Sequence, residues 1–265
     1  MCTQYVPSSL EQAAAMRLGV ANLPYKEWPD VVFPGYDAPI VAARFPVEAV
    51  PSVVISGAAA NTTTDTVLTM ARFGLVPRWS RDAAQSKSIA KGTYNARHET
   101  AAIKPSFRNP WRERQWALIP MAQYFDPCWE DAEHNGGRSV RWRIAMNDDT
   151  PFTCAGLWER WRNPATGSTD TSFSLLTVNA DGHPLCGRLH RPGDEKRMPV
   201  IVAESDRHAW LNATSADALR FMKAMPATQL TGGPAAPLVR PTVRRRDAVD
   251  AVSKEPNQNR QAQLF

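Results

Sequence analysis

Features that the sequence lacks narrow the class of protein. The chain of 265 residues has no run of the 18 or so apolar residues that a membrane-spanning helix needs, and its start lacks the basic-then-apolar order of a signal peptide. We therefore expect a cytoplasmic protein with no membrane partner. The cysteines lie far apart, in none of the close pairs that zinc sites use, at Cys2, Cys128, Cys154 and Cys186. The sequence predicts no metal, no disulfide and no cofactor.

Composition indicates one domain with an appendage. Apolar residues make up 43% of the chain, enough for one substantial core with some length left over. The formal charge is +5 at pH 7. A basic chain suits a polyanionic partner, yet many basic proteins bind no nucleic acid, so charge alone leaves the partner open.

Short strands dominate the middle of the chain. In the clearest, apolar residues alternate with polar ones from Val140 to Met146, which indicates a half-buried strand whose exposed face carries arginines. We predict further strands at 40–43, 67–75, 116–124, 152–158, 173–179 and 200–203. Ser8 and Glu11 have capping-box spacing ahead of a helix over 12–18. Two later helices should begin near Ser205 and Ser215. The pattern predicts an α+β fold over residues 2–226.

The composition changes beyond Pro226. Proline, glycine, arginine and polar residues follow without periodicity, and such a segment buries too little surface to offset chain entropy. We predict a disordered tail over 227–265. Its last residues include Gln261, Leu264 and Phe265, and Gln-x-x-Leu-Phe resembles the peptides that bacterial replication proteins insert into the sliding clamp. An amide and two apolar anchors on a flexible tether would raise effective concentration at replicating DNA.

A succession of short motifs lies at the ends of the predicted strands. In order these are Met1-Cys2, Phe73 to Trp79 (FGLVPRW), Asn95 to Thr100 (NARHET), Ala117 to Pro120 (ALIP), Ala155 to Trp158 (AGLW), Thr177 to Ala180 (TVNA) and His190 ahead of Arg197-Met198-Pro199. This order resembles the SOS-response-associated peptidase (SRAP) family, the abasic-site processing proteins of bacteria and eukaryotes. The resemblance covers about residues 2–212. It implies a mainly antiparallel, barrel-like domain with peripheral helices and a basic channel for single-stranded DNA.

The resemblance also implies covalent chemistry at Cys2. Removal of Met1, by self-cleavage or otherwise, would leave a 1,2-aminothiol that forms a thiazolidine with an abasic site, a crosslinking or lyase-type activity. A free α-amine has a pKa of about 7.7 to 8.0, against about 10.4 for lysine, so near neutral pH far more of it is uncharged. The amine can attack the ring-opened aldehyde as lysine nucleophiles do, and the thiol can close the ring.

Other catalytic roles follow from the resemblance residue by residue. Asn95 would contact the reacting sugar, and its amide offers a donor and an acceptor without titrating. The family's acid-base glutamate falls at Asp126, which is one methylene shorter. This leaves three alternatives: the backbone compensates for the shorter side chain, the reaction is slower, or Glu130 takes the acid-base role instead. His190 would stabilise the abasic site and move a proton near neutral pH. A loop over 191–196 separates it from the Arg-Met-Pro motif.

Several residues are predicted to hold the DNA strand. Trp79 should lie on a loop as a stacking platform for unpaired bases. Arg78, Arg97 and Arg197 are the predicted phosphate ligands. The family usually has glycine and arginine at positions 3 and 4, where this chain has threonine and glutamine, so the resemblance does not carry one phosphate contact near the nucleophile over to this chain.

Two other functions remain open on the sequence. Cys2, His190 and Asp126 could instead form an N-terminal-nucleophile cysteine hydrolase that cuts a peptide bond. Alternatively, the chain could be a non-covalent single-stranded DNA module. Aldehyde capture needs the free amine as well as the thiol, so a block on the N-terminal amine separates the two mechanisms. We expect a monomer associated with the nucleoid.

Overall fold

Strands make up most of the secondary structure, and the predicted α+β class is confirmed. The computed structural model describes residues 2–20, 22–24, 28–43, 52–54 and 66–236. The strands are β1 (Gln4–Pro7), β2 (Asn22–Pro24), β3 (Asp37–Ala43), β4 (Ser52–Val54), β5 (Thr66–Phe73), β6 (Asn95–Arg97), β7 (Trp116–Cys128), β8 (Val140–Met146), β9 (Phe152–Arg162), β10 (Thr169–Asn179), β11 (Arg197–Pro199), β12 (Ile201–Val202) and β13 (Leu230–Pro234). The α-helices are α1 (Leu10–Ala15), α2 (Ala83–Ala90), α3 (His98–Ala101), α4 (Arg108–Arg112) and α5 (Arg207–Leu211).

The main sheet closes on itself as a barrel. Pairing runs β9-β10-β5-β3-β7, and β7 pairs in turn with β9, which completes a five-stranded ring. Most of these pairs are antiparallel, whereas β10 is parallel to β5 and to β6. Closure leaves no unpaired edge within the ring. The barrel-like, mainly antiparallel architecture is confirmed.

Strand β7 is too long to serve the barrel alone. Its first half, Trp116 to Met121, pairs with β9, and its second half pairs with β1 on one side and with β8 on the other. The second half therefore forms part of a four-stranded extension beyond the barrel, in the order β1-β7-β8-β13. This extension brings the extreme N-terminus beside the end of β7.

The strand predicted at 140–146 matches β8, whereas β3, β7, β9 and β10 are longer than predicted and β5 and β12 are shorter. The structure corrects the first helix cap: Ser9 accepts from the Gln12 backbone N–H at 3.1 Å, and the Gln12 side chain accepts from the Ser9 N–H at 2.8 Å. Ser8 instead is buried and donates to the sulfur of Met16. Either Ser8 or Ser9 could have capped the helix, and because Ser8 is buried, Ser9 is the cap.

The chain after the last predicted strand also differs in detail. The helix at Trp210 is the short α5, and the segment from Ser215 forms a single 3-10 turn over Asp217–Phe221 rather than an α-helix to residue 225. Strand β13 lies within the segment predicted as tail and pairs with β8. The compact unit ends at Ala235, so the predicted boundary at 226 is too early.

The core is closely packed where β9 passes between β7 and β10. Gly156 pairs with Ala117 on β7 and with Leu175 on β10. A Cβ atom at this position would lie 2.6 Å from the backbone oxygen of Ser174 and would also collide with the Ile119 side chain. Backbone on one side leaves no room for relaxation, so glycine is required by this close approach.

Substitution of Gly156 tests this packing. We expect Gly156→Ala to lower the free energy of unfolding by about 1–3 kcal/mol, because the added methyl group forces strand separation. Gly233→Ala on β13 is the control, since a Cβ there meets no atom within 4 Å, and its effect should stay within about 0.5 kcal/mol. Urea denaturation measures both. Equal effects of the two variants would contradict the account.

Within the described residues, no helix combines the length and apolar character needed to cross a bilayer.

Candidate active site

Cys2 lies directly before β1, in the extension that β1, β7, β8 and β13 form beyond the barrel. The register pairs Gln4 with Phe125, so the chain entering β1 runs past the neighbouring Asp126. Only 1% of Cys2 is exposed. The side-chain amide of Asn95 donates to the Cys2 carbonyl at 2.8 Å. Cys2 is therefore fixed at its backbone from a strand remote in sequence, rather than lying in a frayed terminus.

Asp126 is the acidic residue beside this cysteine. It is buried, and burial raises the pKa of its carboxyl, while the nearby His190 opposes that shift. Burial also raises the pKa of the Cys2 thiol, and the negative charge of Asp126 adds to the increase. Glu130 is exposed instead, and Arg188 donates to both its carboxylate oxygens, at 2.8 and 2.6 Å. Of the two acids weighed from the sequence, Asp126 lies at the site.

His190 completes this group. Its Nε2 atom lies 2.8 Å from the carbonyl oxygen of Arg197 and 4.0 Å from a carboxylate oxygen of Asp126. Since a carbonyl only accepts, Nε2 carries a proton. The backbone of His190 has φ of 65°, a conformation that few non-glycine residues adopt, and its N–H donates to Pro127 at 2.7 Å. The ring is thus held in one orientation at a strained position, as is common at functional sites.

Two buried tyrosines near the site carried no sequence signal. The Tyr5 hydroxyl has no hydrogen-bond partner among the described residues. Burial raises the pKa of Tyr5, and the charges of Cys2 and Cys154 raise it further. Tyr124 contacts the Cys186 sulfur at 3.5 Å, and Asp126 and Cys2 contribute to its raised pKa after burial. Alternation predicts that such residues are internal but not that they adjoin the nucleophile.

The Asn-Ala-Arg motif is strand β6, which pairs in parallel with β10. Because neighbouring side chains on a strand point to opposite faces, Asn95 and Arg97 lie on the same face. Asn95 is buried against Cys2, and its Oδ1 has no partner in the described part of the chain. Arg97 is half exposed and pairs with Glu195 at 2.6 Å. The strand therefore directs an amide inward and a cation to the rim.

Arg197 is an internal residue rather than a surface one. Its side chain is 1% exposed and donates to Glu99, to Glu195 at 2.6 Å and to the Thr177 carbonyl at 2.6 Å. Its own carbonyl holds His190. The geometry gives Arg197 a positioning role in the loop beside the site, in place of the direct phosphate contact predicted from the sequence.

Arg78 and Trp79 follow β5. Arg78 donates to Glu159 at 3.0 and 2.9 Å and also to Glu113 and Gln115. Trp79 is 41% exposed, and its ring nitrogen donates to the carbonyl of Pro105. The indole is therefore fixed at one edge and open at its face. Any phosphate that Arg78 binds must compete with carboxylates.

A surface groove of about 410 Å³ adjoins His190. It is lined by Arg97, Pro127, Trp129, His190, Arg191, Asp194, Glu195 and Arg197. The guanidinium of Arg191 lies 4.9 Å from the centre of the Trp129 ring. The loop over 191–196 thus forms one wall of the groove. Among the described residues, no cluster of histidine, cysteine and acidic side chains has the arrangement of a metal site.

The chain belongs to the SOS response associated peptidase (SRAP) family, whose profile matches residues 1–241. It is similar to the abasic site processing protein YoqW of Bacillus subtilis, with 28% identity over 55% of this chain and 58% of that protein. Abasic site processing protein YoaM of the same organism is 30% identical over 57% of this chain and 60% of its own. HMCES of Gallus gallus is 26% identical over 59% and 48%. The chain therefore spans about half to three fifths of these relatives.

Solved structures share the fold. A crystal structure from Bordetella bronchiseptica is 30% identical, with a TM-score of 0.73, and covers 89% of this chain and 100% of its own. Another from Bacteroides thetaiotaomicron has a TM-score of 0.69 at 22% identity, covering 89% and 92%. The second likeness concerns the fold alone.

The pH dependence of protein stability tests whether the pKa of the buried Asp126 carboxyl is raised. Because the pKa of Asp126 is raised above its ordinary 3.8 in the folded state, the folded protein keeps this proton to higher pH than the unfolded chain. This contribution to the free energy of unfolding is complete at low pH and is lost as pH rises through the raised pKa. We expect Asp126→Asn to be at least as stable as wild type at pH 7 and less pH-dependent above about pH 4.

The measurement is urea denaturation across that pH range. Asp131→Asn removes an exposed carboxylate of the same type and should leave the pH dependence unchanged. A loss of stability at pH 7 in Asp126→Asn alone would show that the charged carboxylate stabilises the fold, contrary to this account.

Proposed function

We propose that this protein captures abasic sites in single-stranded DNA covalently through Cys2, forming a thiazolidine crosslink that shields the lesion during replication. The observation that carries the proposal is the contact set around Cys2, where a buried acid and a buried amide meet the only residue that becomes an aminothiol once Met1 is removed. The named relatives are abasic site processing proteins. Their names agree with the chemistry that these residues offer.

The proposed reaction joins the sugar aldehyde to both groups of Cys2. The uncharged α-amine attacks C1′ of the ring-opened sugar to give a carbinolamine, which loses water to become an imine. The thiol then adds to the imine carbon, a C–S bond forms, and the thiol proton ends on the ring nitrogen. Overall, one water is released and no electrons are exchanged with another reactant. The five-membered ring resists the strand scission that an open imine permits.

Asp126 is the proposed acid and base. Its raised pKa keeps a fraction of the carboxyl protonated nearer neutral pH, and the optimum pKa for proton transfer lies close to the working pH. The protonated form would assist loss of water, and the carboxylate would accept the thiol proton. A raised thiol pKa makes such a base necessary. Asn95 would accept a hydrogen bond from the deoxyribose through its free Oδ1, and His190 would stabilise the abasic site from beside Asp126.

The strand would cross the groove beside His190. Arg97 at its rim can exchange Glu195 for a phosphate, since both are anionic oxygen acceptors. The exposed face of Trp79 suits stacking with an unpaired base, worth about 1–3 kcal/mol. Arg78 would offer a further cation, and Arg197 would hold the loop in place. We propose that the protein acts as a monomer at the nucleoid.

A cysteine peptidase is the less favoured function for the same residues. Such an enzyme needs a thiolate near neutral pH, which a lowered thiol pKa supplies. In this site burial and Asp126 both raise the pKa of Cys2. The amine is the more reactive nucleophile under these conditions. Self-removal of Met1 would remain a limited form of the peptidase activity, and lyase activity would follow if the imine broke down before ring closure.

A denaturing gel tests capture directly. Met1-processed protein is mixed with a single strand whose uracil has been excised by a glycosylase. We expect a slowly migrating band in wild type, none in Cys2→Ala, and formation at least about 100-fold slower in Asp126→Asn, the usual cost of losing a general acid or base. Cys128→Ala removes another buried thiol on β7 and should behave as wild type.

Two further experiments distinguish covalent capture from thiol hydrolysis and from non-covalent binding. Acetylation of the N-terminal amine should abolish the band while leaving a thiol hydrolase active. Absence of any band in protein whose processing is confirmed by mass spectrometry would contradict covalent capture, and salt-reversible binding in its place would indicate a non-covalent module.

We further propose that the chain's end binds the sliding clamp through Gln261, Leu264 and Phe265. These residues lie outside the described part of the structure. Two apolar anchors and an amide match the tether chemistry argued from the sequence. Deletion of residues 261–265 should abolish binding to purified clamp in a pull-down while abasic-site capture on the gel is unchanged. Equal clamp binding by full-length and shortened proteins would disprove the proposal.

A further inference from the structure

Arg141 lies beside the candidate site but takes no part in the capture reaction. It pairs with Pro127 across β7 and β8, one position from the pair between Asp126 and Trp142. Pro127 also lines the groove next to His190. The base of Arg141 is therefore one position along β7 from the buried acid, on the opposite face of the sheet. Cβ atoms of directly opposite residues are about 5 Å apart.

Phe125 and Gln4 both contact the guanidinium of Arg141. Its carbon lies 3.3 Å from the centre of the Phe125 ring, and its Nε donates to the side-chain oxygen of Gln4 at 2.6 Å. Phe125 immediately precedes Asp126, and Gln4 lies two residues after Cys2. Gln4 and Phe125 are themselves paired across β1 and β7. Both supports of the cation thus come from segments that carry reacting groups.

We propose that Arg141 binds a backbone phosphate of the DNA next to the captured nucleotide. This inference rests on the proposed function and assigns the strand a path over the outer face of β7 and β8. A guanidinium presents planar N–H donors that match phosphate oxygens. Stacking and the amide contact fix its orientation before DNA arrives, which reduces the entropy lost on binding.

Gln4 holds Arg141 through an acceptor that carries no charge. The amide oxygen accepts from Nε, so this bond positions the guanidinium without neutralising its charge. Arg143, two residues along β8, bonds to Gln123 but also forms an ion pair with Asp149. A phosphate at Arg143 has to displace that carboxylate. The contact with Gln4 therefore orients the guanidinium of Arg141 without opposing its charge.

The position of Arg141 on β8 places its side chain on the same face of the sheet as Gln4 and Phe125. Alternation along β8 places Arg141 and Arg143 on one face and Trp142 on the other. The first face is shared with Gln4 and Phe125, which present an amide and an aromatic ring to the arginine. Neither support would be reachable from the opposite face.

Equilibrium binding to undamaged single-stranded DNA tests the proposal without requiring the covalent step. We expect Arg141→Gln to weaken binding about tenfold at low salt, the effect of one charge-assisted hydrogen-bonded contact. The slope of log K against log salt concentration should fall by about 0.7, the value for one phosphate on a single strand. Arg141→Lys should recover the slope but only part of the affinity, since it restores the charge without the planar fork.

Arg220→Gln is the matched control. Arg220 is an exposed arginine that also lies over a phenylalanine ring, 4.7 Å from the centre of Phe221, on the 3-10 turn after α5. It lies outside strands β7 and β8, so its loss removes one charge and one stack from elsewhere on the surface. Affinity and salt slope should match wild type. If Arg141→Gln and Arg220→Gln lost the same affinity, the effect would come from net charge alone, and the proposal would be overturned.

Neutral methylphosphonate linkages locate the contact. Each linkage around a single abasic site is replaced in turn, and binding is measured for a Cys2→Ser protein and for a protein that carries Cys2→Ser and Arg141→Gln together. One linkage adjacent to the lesion should weaken binding in the first protein and have no effect in the second. If every linkage affected both proteins equally, Arg141 would contact no phosphate.

The outcomes also separate this inference from the function on which it rests. Wild type that binds strands and captures abasic sites, with Arg141→Gln identical to it in affinity and slope, overturns the inference alone. Wild type that binds DNA without forming an adduct contradicts covalent capture while leaving the phosphate contact standing. Thermal denaturation shows whether each variant is folded, and Arg141→Lys provides the comparison if Arg141→Gln is not.

Discussion

The second half of β7 is the constraint on which the site depends. It pairs with β1 and β8 at once, so one antiparallel register sets Cys2 beside Asp126 and Arg141 beside Pro127. A shift of one residue would turn Asp126 outward and Phe125 inward, because side chains alternate between faces. The first half of β7 is held in the closed barrel by β3 and β9. Stability of the barrel therefore fixes the geometry of the reactive end.

Burial determines the chemistry of the site. The carboxyl of Asp126 and the thiol of Cys2 both lose water, and the pKa of each is raised. In water both groups would titrate near their ordinary pKa values. Asn95 adds a fixed amide, and His190 is held at a strained backbone position. These features cost stability, as is usual where a fold maintains a reactive site.

Sequence reasoning predicted elements whose pattern is local. Strand β8 was predicted at its full length because apolar and polar residues alternate along it. Strand β1 was missed because four residues ending in proline carry little signal, and it forms only by pairing with β7. Strand β13 was missed because Thr-Gly-Gly-Pro is typical of a loop, although β8 supplies its partner. The contact between Arg141 and Gln4 joins residues 137 apart, beyond any local pattern.

A crystal structure of Met1-processed protein bound to an abasic single strand tests the central claim most directly. The account predicts continuous density from C1′ of the lesion to both the nitrogen and the sulfur of Cys2, with a carboxylate oxygen of Asp126 within the roughly 3.2 Å that proton transfer requires. An adduct through another residue would contradict it. So would a sugar bound at the groove with Cys2 unmodified and Asp126 turned away.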